Sequence, residues 1–282
     1  MSNLRSESEI ERPRGASADA ASEAAPSPQP APLILSLDTT TEVRSVAVVR
    51  GTDVLACTHG RVLRENSARV LHDVEEALSA SGVKLVEIEL FAAATGPGSF
   101  TGLRSGLATV KAFASTFQRR VAGVPTLHAI AYGCGTTPRV VACLPAGRGE
   151  IFAQLLSVND EKAVRELSAP VHLSPAALFE RALGWGGDLT WAGGAAHAHA
   201  TSIREFAAGK AIDWHVEGAQ GEETSPENKV VWKLAPPSDS YAIQVAALGL
   251  MNYFGGTTLD AETLQALYVR LSDAELNEKC RA

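Results

Sequence analysis

Between Leu90 and Phe117 the chain reads LFAAATGPGSFTGLRSGLATVKAFASTF, a run that few folds can accommodate. Leu90-Phe91-Ala92-Ala93-Ala94 is short and uninterrupted in its apolar character, as in a strand covered on both faces. Gly96-Pro97-Gly98 then breaks the chain. Beyond the break, Phe100, Leu103, Leu107, Val110, Ala114 and Phe117 recur at intervals of three and four, which predicts a helix capped by Ser99 or Thr101. A strand, a glycine turn and a helix start bring free amides and a helix dipole together, which favours an anion. The same residues also suit a tight strand-to-helix connection with nothing bound. Gly102 and Gly106 lie inside the predicted helix, where each glycine costs about 1 kcal/mol relative to alanine. Glycines at that spacing imply that something packs closely against them.

The flanking sequence supplies the rest of an α/β pattern. Leu33 to Leu37, Val43 to Val49 and Val54 to Thr58 read as three strands, the first followed by Asp38-Thr39-Thr40-Thr41. Asn66 to Ser79 reads as a helix with Val70, Leu71, Val74, Ala77 and Leu78 as its apolar stripe, Asp73 off that stripe, and Gly82 as its stop. Val121 to Val124 is a strand and Thr126 to Tyr132 a helix start. The character changes near Gly133. Arg139 to Leu144, Ile151 to Val158 and Arg165 to Leu173 then read as strands, followed by a helix opened by Pro175 and a strand over Leu189 to Ala192. Residues 197 to 240 are less patterned, with a polar loop over Gly218 to Asn228. Ser240 to Phe254 keeps a helical rhythm, and Leu264 to Leu271 reads as extended.

The expected organisation is a disordered tail over 1–31, a first α/β domain over 32–132 joined by the helix 240–254, a smaller second α/β domain over 133–239, and a C-terminal strand and tail over 255–282. The tail reading rests on its Ala, Ser, Pro and Glu content and its lack of bulky apolar residues. No apolar run reaches the ~18 residues of a membrane span. Net charge is −7, which argues against the chain holding nucleic acid by itself. Cys57, Cys134, Cys143 and Cys280 show no CxxC spacing, so a reduced, cytoplasmic setting is expected, without a zinc site. His197 and His199 lie two apart with no acid or cysteine at ligand spacing.

LILSLDTTTEVRSVAVV, LFAAATGPGSFTGLRSGLATVKAFA, GVPTLHAIA, GRGEIF and LYVR together resemble the bacterial TsaB (YeaZ) proteins over residues 33 to about 271. The resemblance implies the actin-like, sugar-kinase and heat-shock ATPase fold with two α/β domains. It also implies a part in forming threonylcarbamoyladenosine beside the tRNA anticodon. In that system the family member is a non-catalytic subunit that pairs with the TsaD transferase, with the TsaE ATPase joining them, and tRNA is met only through the complex. A homodimer of the isolated chain is compatible with this. The related catalytic subunits bind metal through a helical HxxxH; here the matching helix reads Glu65-Asn66-Ser67-Ala68-Arg69-Val70, with neither histidine. Relatives read Asp-Ala-Arg before Gly-Glu in the second domain, and Pro145 stands in the aspartate's place. No catalytic residue and no metal ligand are therefore assigned.

Two sites are expected. Asp38, Thr39, Thr40, Gly96, Gly98, Ser99 and Thr101 are candidate phosphate loops for weak or interface-held ATP or ADP. Gly102, Ser105, Gly106, Thr109 and Phe113 form a second stripe on helix 100–117, read as a partner interface with helix 66–79 beside it. The alternative is that this stripe packs on the chain's own sheet. An active phosphotransfer enzyme of the same fold and, less favoured, a peptidase are the competing functions; HExxH and GxSxG are both absent. Without second-domain acids to hold magnesium, the isolated chain should bind ATP no tighter than about −5 to −6 kcal/mol, high micromolar, by titration calorimetry. Low-micromolar binding would instead favour the phosphotransfer enzyme.

Overall fold

The strands expected at the start of the chain owe their order to what covers them. In the computed structural model, which describes residues 31–61, 69–217, 229–238 and 240–269, β1 (Leu33–Asp38) is buried at every position. It lies at the centre of a sheet ordered β3-β2-β1-β4-β5. β2 (Val43–Arg50) and β3 (Asp53–Arg61) extend it antiparallel as a meander. α1 (Arg69–Ser81) then leads to β4 (Leu90–Ala94), parallel to β1. α2 (Phe100–Phe117) leads to β5 (Arg120–Val124), parallel to β4, and α3 (Thr126–Gly133) follows. Parallel neighbours need a crossover, and the helices that provide it cover the sheet.

The second half repeats this plan. β6 (Thr137–Gly147) and β7 (Glu150–Val158) form an antiparallel hairpin, extended by the short β8 (Val164–Glu166) and β9 (Val171–Leu173), both pairing with β7. After α4 (Pro175–Trp185), β10 (Leu189–Ala192) runs parallel to β6. α5 (Gly194–Ala198), α6 (Ala200–Gly209) and β11 (Asp213–Val216) precede β12 (Val231–Leu234), which runs parallel to β10 with β11 outside it. α7 (Ala242–Phe254) then returns to the first sheet and packs on β1, β2, β4 and β5. The described residues form one compact unit.

Three apolar layers hold this arrangement. One joins the first sheet to α1 and α2 through Leu35, Phe91, Leu103 and Val110. A second fills the space between the two sheets with α3 and α7, bringing Ile34 and Leu90 together with Leu127, Val245, Val140 and Leu156. The third lies under α4, α5 and α6, where Trp191 and Trp232 are fully buried. α7 is docked by two hydroxyls of the first sheet. Ser36 donates to the Ala242 carbonyl at 2.7 Å, and Ser45 accepts from the Ala242 amide at 3.2 Å.

Several local readings change. The strand expected over 165–173 is interrupted, forming β8 and β9. The weakly patterned stretch 197–240 contains α6, β11 and β12, elements of only 4 to 10 residues that are too short to show a period. Residues 264–269 join no sheet as a strand, although Leu264 is buried and the Leu267 amide donates to the Thr95 carbonyl at 2.7 Å. The tail over 1–30, Glu65 to Ala68, the loop 218–228, and Arg270, Leu271 and Cys280 lie outside the described residues.

On α1 the expected stripe is partly inverted: Leu71 is 53% exposed, whereas Asp73 is buried. Asp73 forms an ion pair with Arg44 of β2, both side chains being 9% exposed. Gly60 of β3 makes room for the pair, since a Cβ there would stand 2.8 Å from the Arg44 guanidinium and 3.1 Å from the Asp73 carboxylate. Periodicity could not show this, because the partner lies 29 residues upstream. Asp73→Ala strands a buried guanidinium and should lower unfolding stability by about 3 kcal/mol or more in urea melts. Arg44→Met with Asp73→Leu should cost distinctly less.

Candidate functional site

The Asp-Thr-Thr hairpin and the glycine turn meet where β1 and β4 end side by side. Asp38 is fully buried, and its carboxylate is met from its own hairpin. One oxygen accepts from the Thr40 amide at 2.9 Å and the Thr40 hydroxyl at 2.7 Å; the other accepts from the Thr41 hydroxyl at 2.6 Å. Each hydroxyl has one proton to give, so the Thr40–Thr126 contact at 2.9 Å is donated by Thr126. Thr126, at the start of α3, in turn accepts from the Gly96 amide at 3.2 Å. The result is a directed chain from the glycine turn through two threonines to Asp38. Burial raises the Asp38 carboxyl above its ordinary value, and the threonine donors oppose that shift.

The two expected phosphate loops fill each other. The Ser99 amide donates to the Thr40 carbonyl at 2.8 Å, and the Ser99 hydroxyl caps α2 by accepting from Gly102 N at 3.3 Å. A Cβ at Gly98 would overlap the Thr40 carbonyl. Gly96 takes φ +101°, and a Cβ there would meet the Leu267 carbonyl at 2.8 Å. Ser99 and Thr101 are exposed, whereas Thr39 and Thr40 are buried. The structure thus brings Asp38, Thr39, Thr40, Gly96, Gly98 and Ser99 into one cluster whose donors and acceptors are largely spent within it. Thr101 stands outside.

The second stripe of α2 divides. A Cβ at Gly102 would overlap the Thr39 carbonyl, and one at Gly106 would overlap the Thr39 hydroxyl; that hydroxyl donates to the Gly102 carbonyl at 2.7 Å. Phe113 packs on Phe91 of β4 with ring centroids 5.8 Å apart. These three residues therefore face the chain's own hairpin and sheet, which corrects their reading as a free surface for a partner. The close approach implied by the glycine spacing is real, but its occupant is Thr39. Ser105 and Thr109 remain half-buried at the edge of the stripe. Phe100, expected in the core, is 40% exposed and packs against Tyr268 at 5.9 Å. Arg120 of β5 pairs with Asp260 at the surface.

On the opposite half, Pro145 of β6 pairs in register with Ile151 and supplies no acid. Two carboxylates there are engaged with histidines: Glu166 with His128 at 3.0 Å and Glu150 with His172 at 2.9 Å. Burial lowers the His128 pKa, with Glu166 pulling the other way. Burial also pushes the Cys134 thiol up to about 12, aided by Glu217, and raises Tyr241. Neither is primed as a nucleophile. Among the described residues no three His, Cys, Asp or Glu side chains gather as metal ligands. Sequence spacing does not reveal the histidine pairs, because 38 and 22 residues separate their members.

The family model described as "TsaD: tRNA N6-adenosine threonylcarbamoyltransferase" matches residues 61–191. The tRNA threonylcarbamoyladenosine biosynthesis protein TsaB of Escherichia coli (strain K12) is 38% identical over 124 residues, 42% of this chain and 52% of that protein. TsaB of Haemophilus influenzae is 34% identical over 125 residues, 42% of this chain and 51% of that protein. The chain thus matches about half the length of these curated relatives. YeaZ from Pseudomonas aeruginosa superposes with a TM-score of 0.62 at 22% identity, covering 84% of this chain and 99% of that one. The fold is therefore that of YeaZ, a mixed α/β fold built on two sheets.

The threonine contacts make two expectations testable. Gly102→Ala and Gly106→Ala should each cost about 2 kcal/mol or more in urea melts. Adding Thr39→Ala should recover most of the loss for Gly106→Ala, where a side chain is in the way. It should recover little for Gly102→Ala, where the obstacle is backbone. For Asp38, a folded-state pKa above the ordinary 3.8 means the native state holds the proton more tightly than the unfolded chain. Its contribution is complete below about pH 4 and is lost as pH rises through the folded value. Asp38→Asn should therefore gain stability relative to the unmodified protein as pH rises from 4 to 7, followed by urea midpoints.

Proposed function

We propose that this chain, a relative of the TsaB/YeaZ proteins within the TsaD/TsaB superfamily, is the accessory subunit of a complex forming threonylcarbamoyladenosine in tRNA. It pairs with a TsaD-type transferase and helps recruit a TsaE-type ATPase. The observation that carries this reading is the self-filled pair of loops. Asp38 has its acceptors taken by Thr40 and Thr41, and the glycine turn is packed on Thr40. A phosphotransfer enzyme needs those groups turned toward its nucleotide, with a second acid where Pro145 stands. A scaffold needs them only to brace α2 and α3 against the sheet. Any ATP or ADP would then be held weakly or at the partner interface.

The surface best placed for the partner is the side of α2 bearing Ser105, Thr109 and the exposed Ala112, together with the neighbouring α1 and its exposed Leu71. Small residues on a helix let another helix approach closely, and one exposed leucine can anchor it. In a reconstituted system with a TsaD-type subunit, a TsaE-type ATPase, the threonylcarbamoyl donor and tRNA, modification should require this chain. Ser105→Arg with Thr109→Arg should remain folded by circular dichroism yet lose co-elution with the TsaD-type subunit and at least tenfold of the modification rate. Full activity without the chain would reject the reading. ATP-dependent phosphorylation of a small acceptor by the chain alone would establish the phosphotransfer enzyme instead.

A further inference from the structure

Helix α2 has a face used neither by the core, nor by Thr39, nor by the partner surface. The helix contains no aspartate or glutamate. Its two cations, Arg104 and Lys111, are seven residues apart, so they share a side and stand about 10 Å apart along the axis. Among the described residues neither has a carboxylate partner. They border a cavity of about 470 Å³ whose far wall is Gln265, Ala266 and Tyr268 and whose floor includes Leu107. That volume is in the range of ligand-binding clefts. At one end Phe100 and Tyr268 pack together while remaining 40% and 50% exposed, and the Arg104 guanidinium sits 4.1 Å from the centre of the Phe100 ring.

Unpaired cations and exposed aromatic rings at one surface restrict what fits. A purely apolar partner would desolvate two charges without pairing them, which is costly. A small inorganic anion would pair the charges and leave the rings uncovered. A single strand that alternates phosphates with flat bases satisfies both, placing phosphates on the cations and a base on the open face of Tyr268. Gln265 offers a donor and an acceptor to a base edge. We propose that this face of α2 and the segment 264–268 holds single-stranded RNA. The proposal deepens the functional reading above and rests on it, since there the strand would come from the tRNA. The net charge of −7 opposes RNA binding over the chain as a whole, but a local basic face is enough to hold a short strand at low salt.

The direct test uses the full chain alone with an unstructured fluorescent RNA oligonucleotide at low salt, followed by ultraviolet crosslinking and peptide mapping. Crosslinks should fall on the peptides containing Tyr268 or Phe100. Arg104→Gln with Lys111→Gln should weaken binding and reduce the slope of log affinity against log salt by about 1.4, two phosphates' worth. Tyr268→Ala should weaken binding about tenfold and leave the slope unchanged, since stacking releases no counterions. Crosslinks elsewhere, or variants that bind like the unmodified chain, would overturn the proposal. A second arm uses the complex with the TsaD-type subunit. If the same variants fail to assemble, the face is a protein interface and the RNA assignment falls. If the unmodified chain fails to assemble while the oligonucleotide results hold, the functional reading falls and the RNA face stands.

Discussion

A buried carboxylate must find donors, and Asp38 takes three of them from Thr40 and Thr41 of its own hairpin. That short-range satisfaction sets the shape of the hairpin, and the hairpin sets the rest of the cluster. With Thr40 turned onto Asp38, its carbonyl is free to hold Ser99, and its hydroxyl to receive Thr126. With Thr39 turned toward α2, the helix must pass it at Gly102 and Gly106, where there is no side chain to displace. One charge removed from water thus determines where two helices begin and how closely one of them lies against the sheet.

The repeated sheet order places this cluster in context. Each half opens with an antiparallel hairpin and continues with parallel strands, and α3 and α7 are packed between the halves. In such a duplicated frame, the hairpins that follow β1 and β6 occupy equivalent places. In this chain the first hairpin is internally satisfied and the second carries Pro145, which adds no charge. In the first hairpin the polar groups support packing: Asp38 is held by Thr40 and Thr41, and Thr40 holds Ser99.

α2 presents four faces of different character: an apolar face to the sheet, a glycine face to Thr39, a small polar face, and a basic face bordered by Tyr268. A helix so divided can be fixed from inside and still present two distinct surfaces.

By itself, the sequence determined the elements whose cause is local. The buried β1 and β4, the Ser99 cap, the period of α2, the Pro175 start of α4 and the rhythm of α7 all follow from neighbours within a few residues. The βα unit at Gly96–Gly102 and the close approach it demands were legible for the same reason. Only the tertiary structure decided what makes that approach, because Thr39 lies 63 residues from Gly102. It likewise decided that Asp73 turns inward to Arg44, that Phe113 turns inward to Phe91, and that Phe100 turns outward to Tyr268. Periodicity reports which side of a helix is apolar. Whether a polar residue is buried, or an aromatic one left exposed, depends on a partner brought near by the fold, and that partner leaves no mark at the residue's own position in the sequence.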